Sequence, residues 1–222
     1  MALHRGSKSR LNQHHLELFA GDTLFDRLAR TVCEAECLPR KELYESWETV
    51  RRVRRRFRGG PVVDLAGGHG LAAWIMLLLD DSSPTALCID RKIPASAAKL
   101  SAAMTKTWPR LQGRVRYVKN RIQGEEMPQG ATLICVHGCG PLTDKVLDRA
   151  IEGGHRVAVL PCCHSRGLCD TGSLEPWMPV GLAVDSTRVA RLREHGFTVW
   201  TATIPEEITP KNRLILAQPG QR

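Results

Sequence analysis

The chain has 222 residues, is 42% hydrophobic, and carries a net charge of +9 from 32 Lys and Arg against 23 Asp and Glu. That length suits one α/β domain with a small appendage. The longest apolar run is about nine residues, which excludes a membrane-spanning helix of roughly 20. Met1 to Lys8 lacks the apolar stretch of a secretory signal, so a cytoplasmic setting is expected. Eight cysteines are too few for a disulfide scaffold and are expected as thiols.

Residues 1–12 read as disordered. Residues 13–38 have helical spacing, with Leu16, Phe19, Leu24, Leu28 and Val32 apolar and a break near Gly21-Asp22. Pro39 ends that segment. A second helix is predicted over 40–57, burying Leu43, Trp47, Val50 and Val53 and ending in Arg51-Arg52-Val53-Arg54-Arg55-Arg56-Phe57-Arg58. Gly59-Gly60-Pro61 then stops the helix. Residues 1–60 therefore form an N-terminal helical extension, and 61–222 the main domain.

From Pro61 onward, strands and helices alternate. Strands are predicted at 61–65, 85–89, 114–118, 131–136 and 156–160, with helices at 70–79, 95–107, 142–152 and 186–195. Residues 165–184 read as a long irregular connection, a place where functional loops occur. Two final strands, 197–204 and 212–218, close the chain as a hairpin. The implied architecture is α/β and Rossmann-like, with a seven-stranded sheet.

The segment Pro61-Val-Val-Asp-Leu-Ala-Gly-Gly-His-Gly70 carries the strongest functional signal. A strand runs into an acid, then a glycine-rich loop, then the apolar helix Leu71–Leu79. Such a unit makes room for a nucleotide-like cofactor. Gly68 to Ala73 also fits the G-x-G-x-x-A variant of the dinucleotide fingerprint, which keeps an NAD enzyme open. Asp64 favours S-adenosylmethionine, because a carboxylate there would attract an ammonium group and repel a pyrophosphate. Asp90, at the end of the second strand, is placed to accept hydrogen bonds from both ribose hydroxyls. The expected cofactor contacts are Asp64, Ala66, Gly67, Gly68, Gly70, Asp90, Arg91 and Asn120, with Arg91 and Asn120 towards the adenine.

Two Cys/His boxes follow later strands: His137-Gly-Cys139-Gly-Pro141, and Pro161-Cys-Cys-His164. Both loops leave the carboxyl edge of a parallel sheet, where ligands bind. His137, Cys139, Cys162, Cys163 and His164 should therefore converge beside the glycine loop. The segment Val62–Ala72 resembles motif I of class I SAM-dependent methyltransferases, and the closing hairpin is typical of them. The two boxes, with Thr143-Asp144, are similar to the branch containing the tRNA acceptor-stem 2′-O-methyltransferases and related methyltransferase-like proteins. The resemblance covers about residues 40–218 and implies a SAM-dependent methyltransferase. Ala66 replaces the first glycine of the motif, which suits that residue only if its φ stays negative. Ser165 replaces the second histidine of the branch's Cys-Cys-His-His box, and the zinc-finger-like N-terminal module is missing.

His137, Cys162, Cys163 and His164 are the candidate catalytic residues, with a histidine as base for a hydroxyl acceptor. Cys162 could alternatively attack a pyrimidine before C5 methylation. A metal held by Cys135, Cys139, Cys162, Cys163, His164 and Cys169 is a further alternative, but C-x-x-C knuckles are lacking and no metal is expected. Residues 91–121 carry nine basic residues and no acid. This zone and Arg51, Arg52, Arg54, Arg55, Arg56 and Arg58 suggest RNA as the partner. Trp108 and Tyr117 lie in the same zone and could stack bases, although the helical register places Trp108 in the core. The alternatives are methylation of a small molecule or protein, and a non-catalytic RNA-binding or assembly factor.

Overall fold

The computed structural model describes residues 4–164 and 167–220. Strands β1 (Val62–Leu65), β2 (Ala86–Asp90), β3 (Val115–Lys119), β4 (Thr132–Cys135), β5 (Arg156–Val159), β6 (Phe197–Thr203) and β7 (Arg213–Pro219) form one sheet in the order β3-β2-β1-β4-β5-β7-β6. The first five run parallel, and β7 pairs antiparallel with both β5 and β6. The order reverses between β1 and β4, which opens a crevice at their carboxyl ends. Helices α1 (Leu24–Ala35), α2 (Arg40–Arg56), α3 (Leu71–Leu78) and α4 (Ala97–Thr107) precede β3 in sequence, while α5 (Pro141–Gly153) and α6 (Val180–Glu194) follow β4.

Alternation along the strands divides the core in two. Val62, Ile134, Ala158, Leu214 and Leu216 pack with α1 to α4, whereas Val63, Leu65, Leu133, Cys135, Val157 and Val159 pack with Val146, Leu147 and Leu192 of α5 and α6. All eight residues of α3 are buried, as a helix apolar on every side must be. None of the described helices is long and apolar enough to cross a membrane.

Three expectations change. Residues 4–12 are ordered: Leu11 is fully buried, its N–H donates to the Leu38 carbonyl at 2.9 Å, and Arg5 pairs with Glu207 at 3.0 Å. A polar, basic stretch conceals one anchoring leucine and backbone pairing that only the fold supplies. Helix α6 begins at Val180, six residues earlier than expected, because Pro179 serves as its N-cap and tolerates a helix start. Gly181 sits in the first turn because an added Cβ would lie 3.0 Å from Arg213 and 3.2 Å from His164.

The third change concerns the arginine run. Arg54 is buried and cannot meet a phosphate. Its guanidinium pairs with Asp80 at 3.0 Å and donates to the Met76 carbonyl and the Ser83 hydroxyl, both at 2.8 Å from Nη2. Arg51 and Arg52 both pair with Glu48, Arg56 lies 4.3 Å from the Trp200 ring centroid, and Arg58 donates to the Leu79 carbonyl. Arg51 and Arg52 thus pair within α2, while Arg54, Arg56 and Arg58 brace its end against α3 and the hairpin at the amino edge of the sheet. The crevice is at the opposite edge, about 15 Å along α2 at 1.5 Å per residue from Ser46 to Arg56.

Truncating Arg54 strands Asp80 without its cation. We expect Arg54→Ala to lose about 3–5 kcal/mol of stability in urea unfolding, while the exposed Arg55→Ala stays within about 0.5 kcal/mol.

Candidate active site

Asp64 ends β1 and is 1% exposed. Its Oδ2 accepts from the Ala73 N–H of α3 at 3.2 Å, while the buried Oδ1 has no hydrogen-bond partner. Gly67 is required above it, since a Cβ there would lie 2.6 Å from the Asp64 carboxyl carbon. Gly70 turns into α3 with φ +76° against Tyr117, whose hydroxyl donates to the His69 carbonyl at 2.7 Å and accepts from Trp74 Nε1 at 2.9 Å. Tyr117 thus props the glycine loop, and Trp108 is buried in the core. Ala66 has φ +57°, against the expectation of a negative value. The turn into the loop imposes this left-handed conformation, which costs a residue with a Cβ about 1–2 kcal/mol.

Asp90 grips the same loop from β2. Its Oδ2 accepts from the Gly68 N–H and its Oδ1 from the Lys92 N–H, both at 3.0 Å. A carboxylate has about four acceptor sites, so capacity remains for two hydroxyls. Beside Asp90 lies a cavity of about 1090 Å³, lined by residues that include Ala66, Arg91, Asn120, His137, Cys139 and Lys145. Arg91 is exposed on its wall. Asn120 also lines it, but its amide donates to the Gly124 carbonyl and the Glu125 carboxylate and accepts from the Arg121 N–H, so it shapes the 120–125 turn.

A smaller pocket of about 230 Å³ lies on the other side of the loop, between Asp64, Gly67, Gly68, His69 and residues of α2. Helix α2 contributes Glu42 and Ser46 to its wall. Burial pushes Glu42 up, with the Glu45 carboxylate adding to the effect. Burial also raises Glu45, although Lys41 opposes it from 3.2 Å. Asp64 is pushed up to about 7 by burial, with the Ala73 N–H working against the rise and Asp90 adding to it. Two acids on the wall of a small pocket, Asp64 buried and Glu42 half-buried, create a demand for positive charge. The ammonium and sulfonium groups of S-adenosylmethionine meet it, whereas a dinucleotide pyrophosphate would be repelled. The residues present therefore fit this cofactor: Asp64 and the glycine loop would hold its amino-acid end, and Asp90 its ribose.

The Cys/His boxes converge in part. His137 lines both pockets. Its Nε2 is buried without a hydrogen-bond partner, 3.7 Å from an equally unpartnered Glu45 Oε2. Its surroundings push its pKa down to about 4, first by burial and then through Lys41, so the ring is neutral at pH 7. Glu42, Glu45 and Ser46 were missed in the sequence, where a carboxylate in the buried register beside Leu43 was the available signal, and Tyr117, expected to stack bases, holds the loop instead. Cys139, Cys162 and Cys163 come together, with Cys139 Sγ 2.8 Å from Cys162 Sγ. Burial and the two neighbouring thiols raise Cys162, the reverse of what a thiolate nucleophile requires.

His164 does not join this group. It turns towards α6, with Nε2 2.9 Å from Asp185 Oδ1, and is 8% exposed. Asp185 also accepts from Arg213 at 2.6 Å and from Arg188 at 3.3 Å, and Arg188 makes two 2.8 Å bonds to Asp144. Although burial would raise Asp185, bonds from His164 and Arg213 hold it below the usual carboxylate range. His164 thus ties the loop after β5 to α6 and the hairpin. The adjacent Ser165 lies outside the described residues.

A buried acid with a raised pKa makes stability fall with rising pH. Between about pH 4 and pH 7 the native Asp64 keeps a proton that the unfolded chain has released, so cofactor-free stability declines across that window. We expect Asp64→Asn to flatten this decline and to be the more stable form at pH 8, on the order of a few kcal/mol, in urea titrations across the range. The same variant should bind S-adenosylhomocysteine more weakly.

A family profile described as a methyltransferase domain matches residues 40–166. Among solved structures, an O-methyltransferase family protein from Burkholderia thailandensis superposes with a TM-score of 0.50 at 18% identity, covering 97% of this chain and 65% of that one. The S-adenosylmethionine-dependent methyltransferase SibL gives 0.53 at 17%, covering 97% and 67%. The pyocyanin biosynthetic protein PhzM gives 0.52 at 19%, covering 95% and 62%. The chain thus spans about two thirds of the length of these proteins, and the likeness concerns the fold. A search of curated protein sequences returned no match. The matched residues run from the helix that walls the small pocket to the second cysteine box, more than half of the chain, and the chain belongs to this methyltransferase family, with S-adenosylmethionine as its cofactor.

Proposed function

We propose that this methyltransferase acts on RNA. The observation that carries the reading is the charge around the mouth of the large cavity. Arg91 and Lys92 leave β2, Lys119 and Arg121 flank the end of β3, and Lys145 rises from α5; all five side chains are exposed, and Arg91, Arg121 and Lys145 line the cavity itself. This narrows the basic face expected from the sequence. Arg91, Lys92, Lys119 and Arg121 of the 91–121 zone lie at the carboxyl edge, whereas Arg110 and Arg114, which donate to the Leu78 and Pro84 carbonyls, serve the opposite edge together with Arg54 and Arg58. Lysine and arginine side chains grouped there would hold phosphates next to the reacting centre.

Bound S-adenosylmethionine supplies an electrophilic methyl group on sulfonium. The chain must orient an acceptor against it and exclude water. His137 is the titratable side chain that lines both pockets, and its neutral ring keeps a lone pair free at pH 7. That lone pair can take a proton from a hydroxyl acceptor, while Glu45 at 3.7 Å stabilises the imidazolium so formed.

The first test is calorimetry with S-adenosylhomocysteine, followed by transfer of radiolabelled methyl groups to total RNA. We expect binding by the native chain, a large loss in Asp90→Ala, and label in RNA. No binding would favour a non-catalytic factor; binding without label in RNA would favour a protein or small molecule as acceptor. Affinity for RNA should fall steeply with salt, and Lys92→Ala with Lys119→Ala should reduce that slope by roughly 1–2 while leaving S-adenosylhomocysteine affinity unchanged. His137→Ala should lower the transfer rate by about 10²-fold or more, a larger loss than any accompanying change in S-adenosylhomocysteine affinity.

A further inference from the structure

The ladder between β4 and β5 continues past both strands. Cys139 and Cys163 form an isolated parallel bridge, and the Gly140 N–H donates to the Cys163 carbonyl at 3.1 Å. This backbone pairing fixes the two loops so that three sulfurs meet. Cys139 Sγ and Cys162 Sγ are 2.8 Å apart, Cys162 Sγ and Cys163 Sγ 3.9 Å, and all three lie within 4.8 Å of one another. Thiolates at 2.3 Å from a tetrahedral zinc ion are separated by about 3.8 Å, within the range these sulfurs span.

The surroundings favour a metal over the other uses of three thiols. A disulfide would join two sulfurs, leave the third unused and require an oxidant. A free nucleophile would need a cation beside it to hold the thiolate, and would leave two sulfurs unused. What the cluster lacks is positive charge. Arg188, the buried cation nearby in the fold, is committed to Asp144 and Asp185, and also contacts Cys169 Sγ at 3.8 Å. His164 is held by Asp185. Among the described residues, only these three offer His, Cys or carboxylate atoms within 4.8 Å of one another here, which leaves three donors.

We propose that Cys139, Cys162 and Cys163 bind one zinc ion as thiolates, leaving its fourth coordination position open on the methyl-acceptor side of the large cavity. Each S–H gives up its proton to solvent as a Zn–S bond forms. Three protein ligands with one open position is the pattern of reactive rather than purely structural zinc. Cys139 is the exposed member of the trio and lines the cavity, so the open position would take water or a donor atom of the acceptor. Metal binding does not depend on the methyl-transfer reading; only the role of the open position rests on it.

The test uses the full chain, purified under reducing conditions and analysed for metal by mass spectrometry. We expect one zinc ion per chain. After chelation, titration with Cd²⁺ should produce sulfur-to-metal charge-transfer absorption that weakens as pH falls, because protons compete for the thiolates. Cys139→Ser and Cys162→Ser should lose zinc, and Cys169→Ser, outside the trio, should keep it. S-adenosylhomocysteine calorimetry on the same samples separates the two readings: intact cofactor binding without metal overturns the zinc site alone, and metal without cofactor binding overturns the methyl-transfer reading alone. A native chain free of zinc that gives no charge-transfer band with Cd²⁺ would sink the proposal. So would zinc retained by Cys162→Ser, or a Cys139–Cys162 disulfide in protein kept reduced.

Discussion

A carboxylate held out of water at the tip of β1 is the constraint around which this fold is arranged. Asp64 is 1% exposed and has a single hydrogen-bond donor, the Ala73 N–H. Burying such a group costs free energy unless a positive charge answers it. The glycine loop closes over it because no side chain fits at Gly67, and Tyr117 holds that loop from β3. Ala66 accepts a left-handed backbone to let the chain turn. Strain and an unmatched charge at a single strand end mark a site shaped for a cationic ligand more than for the stability of the empty protein.

Helix α2 links the two edges of the sheet. Its first turns bring Glu42, Glu45 and Ser46 to the cofactor side, and its last turn brings Arg54, Arg55 and Arg56 to the far side. This distribution also suits the helix dipole, with acids near the N-terminus and cations near the C-terminus. The helix is therefore a wall of the pocket at one end and an anchor at the other. Its buried Arg54–Asp80 pair secures the anchor, so displacing the wall would expose a charge pair that has no substitute nearby.

Secondary structure was largely legible because its signals are local. Period-2 and period-3.6 patterns gave the strands and helices within a few residues, and the acid–glycine loop gave the cofactor edge. The basic residues were legible as a number but not as a surface. The arginine run on α2 reads as a phosphate grip, yet each turn of a helix faces a different neighbour, and Arg54 faces the interior. His164 reads as a partner of Cys163 by adjacency, but α6 packs alongside and offers it the Asp185 carboxylate, which it meets instead. Leu11 was hidden because one buried residue has no periodicity.

By itself the sequence determined the sheet-forming segments, the position of Asp64 and Asp90 at strand ends, and the presence of two cysteine boxes on one edge. These follow from the order of residues along the chain and the regular geometry of strands. Only the tertiary structure decided which charges are free. It set Arg54 against Asp80 and His164 against Asp185, while leaving Arg91, Lys92, Lys119, Arg121 and Lys145 exposed at the crevice. The reason is physical: a side chain's charge is a local property, but its burial and its partner depend on segments far away in sequence that packing brings alongside.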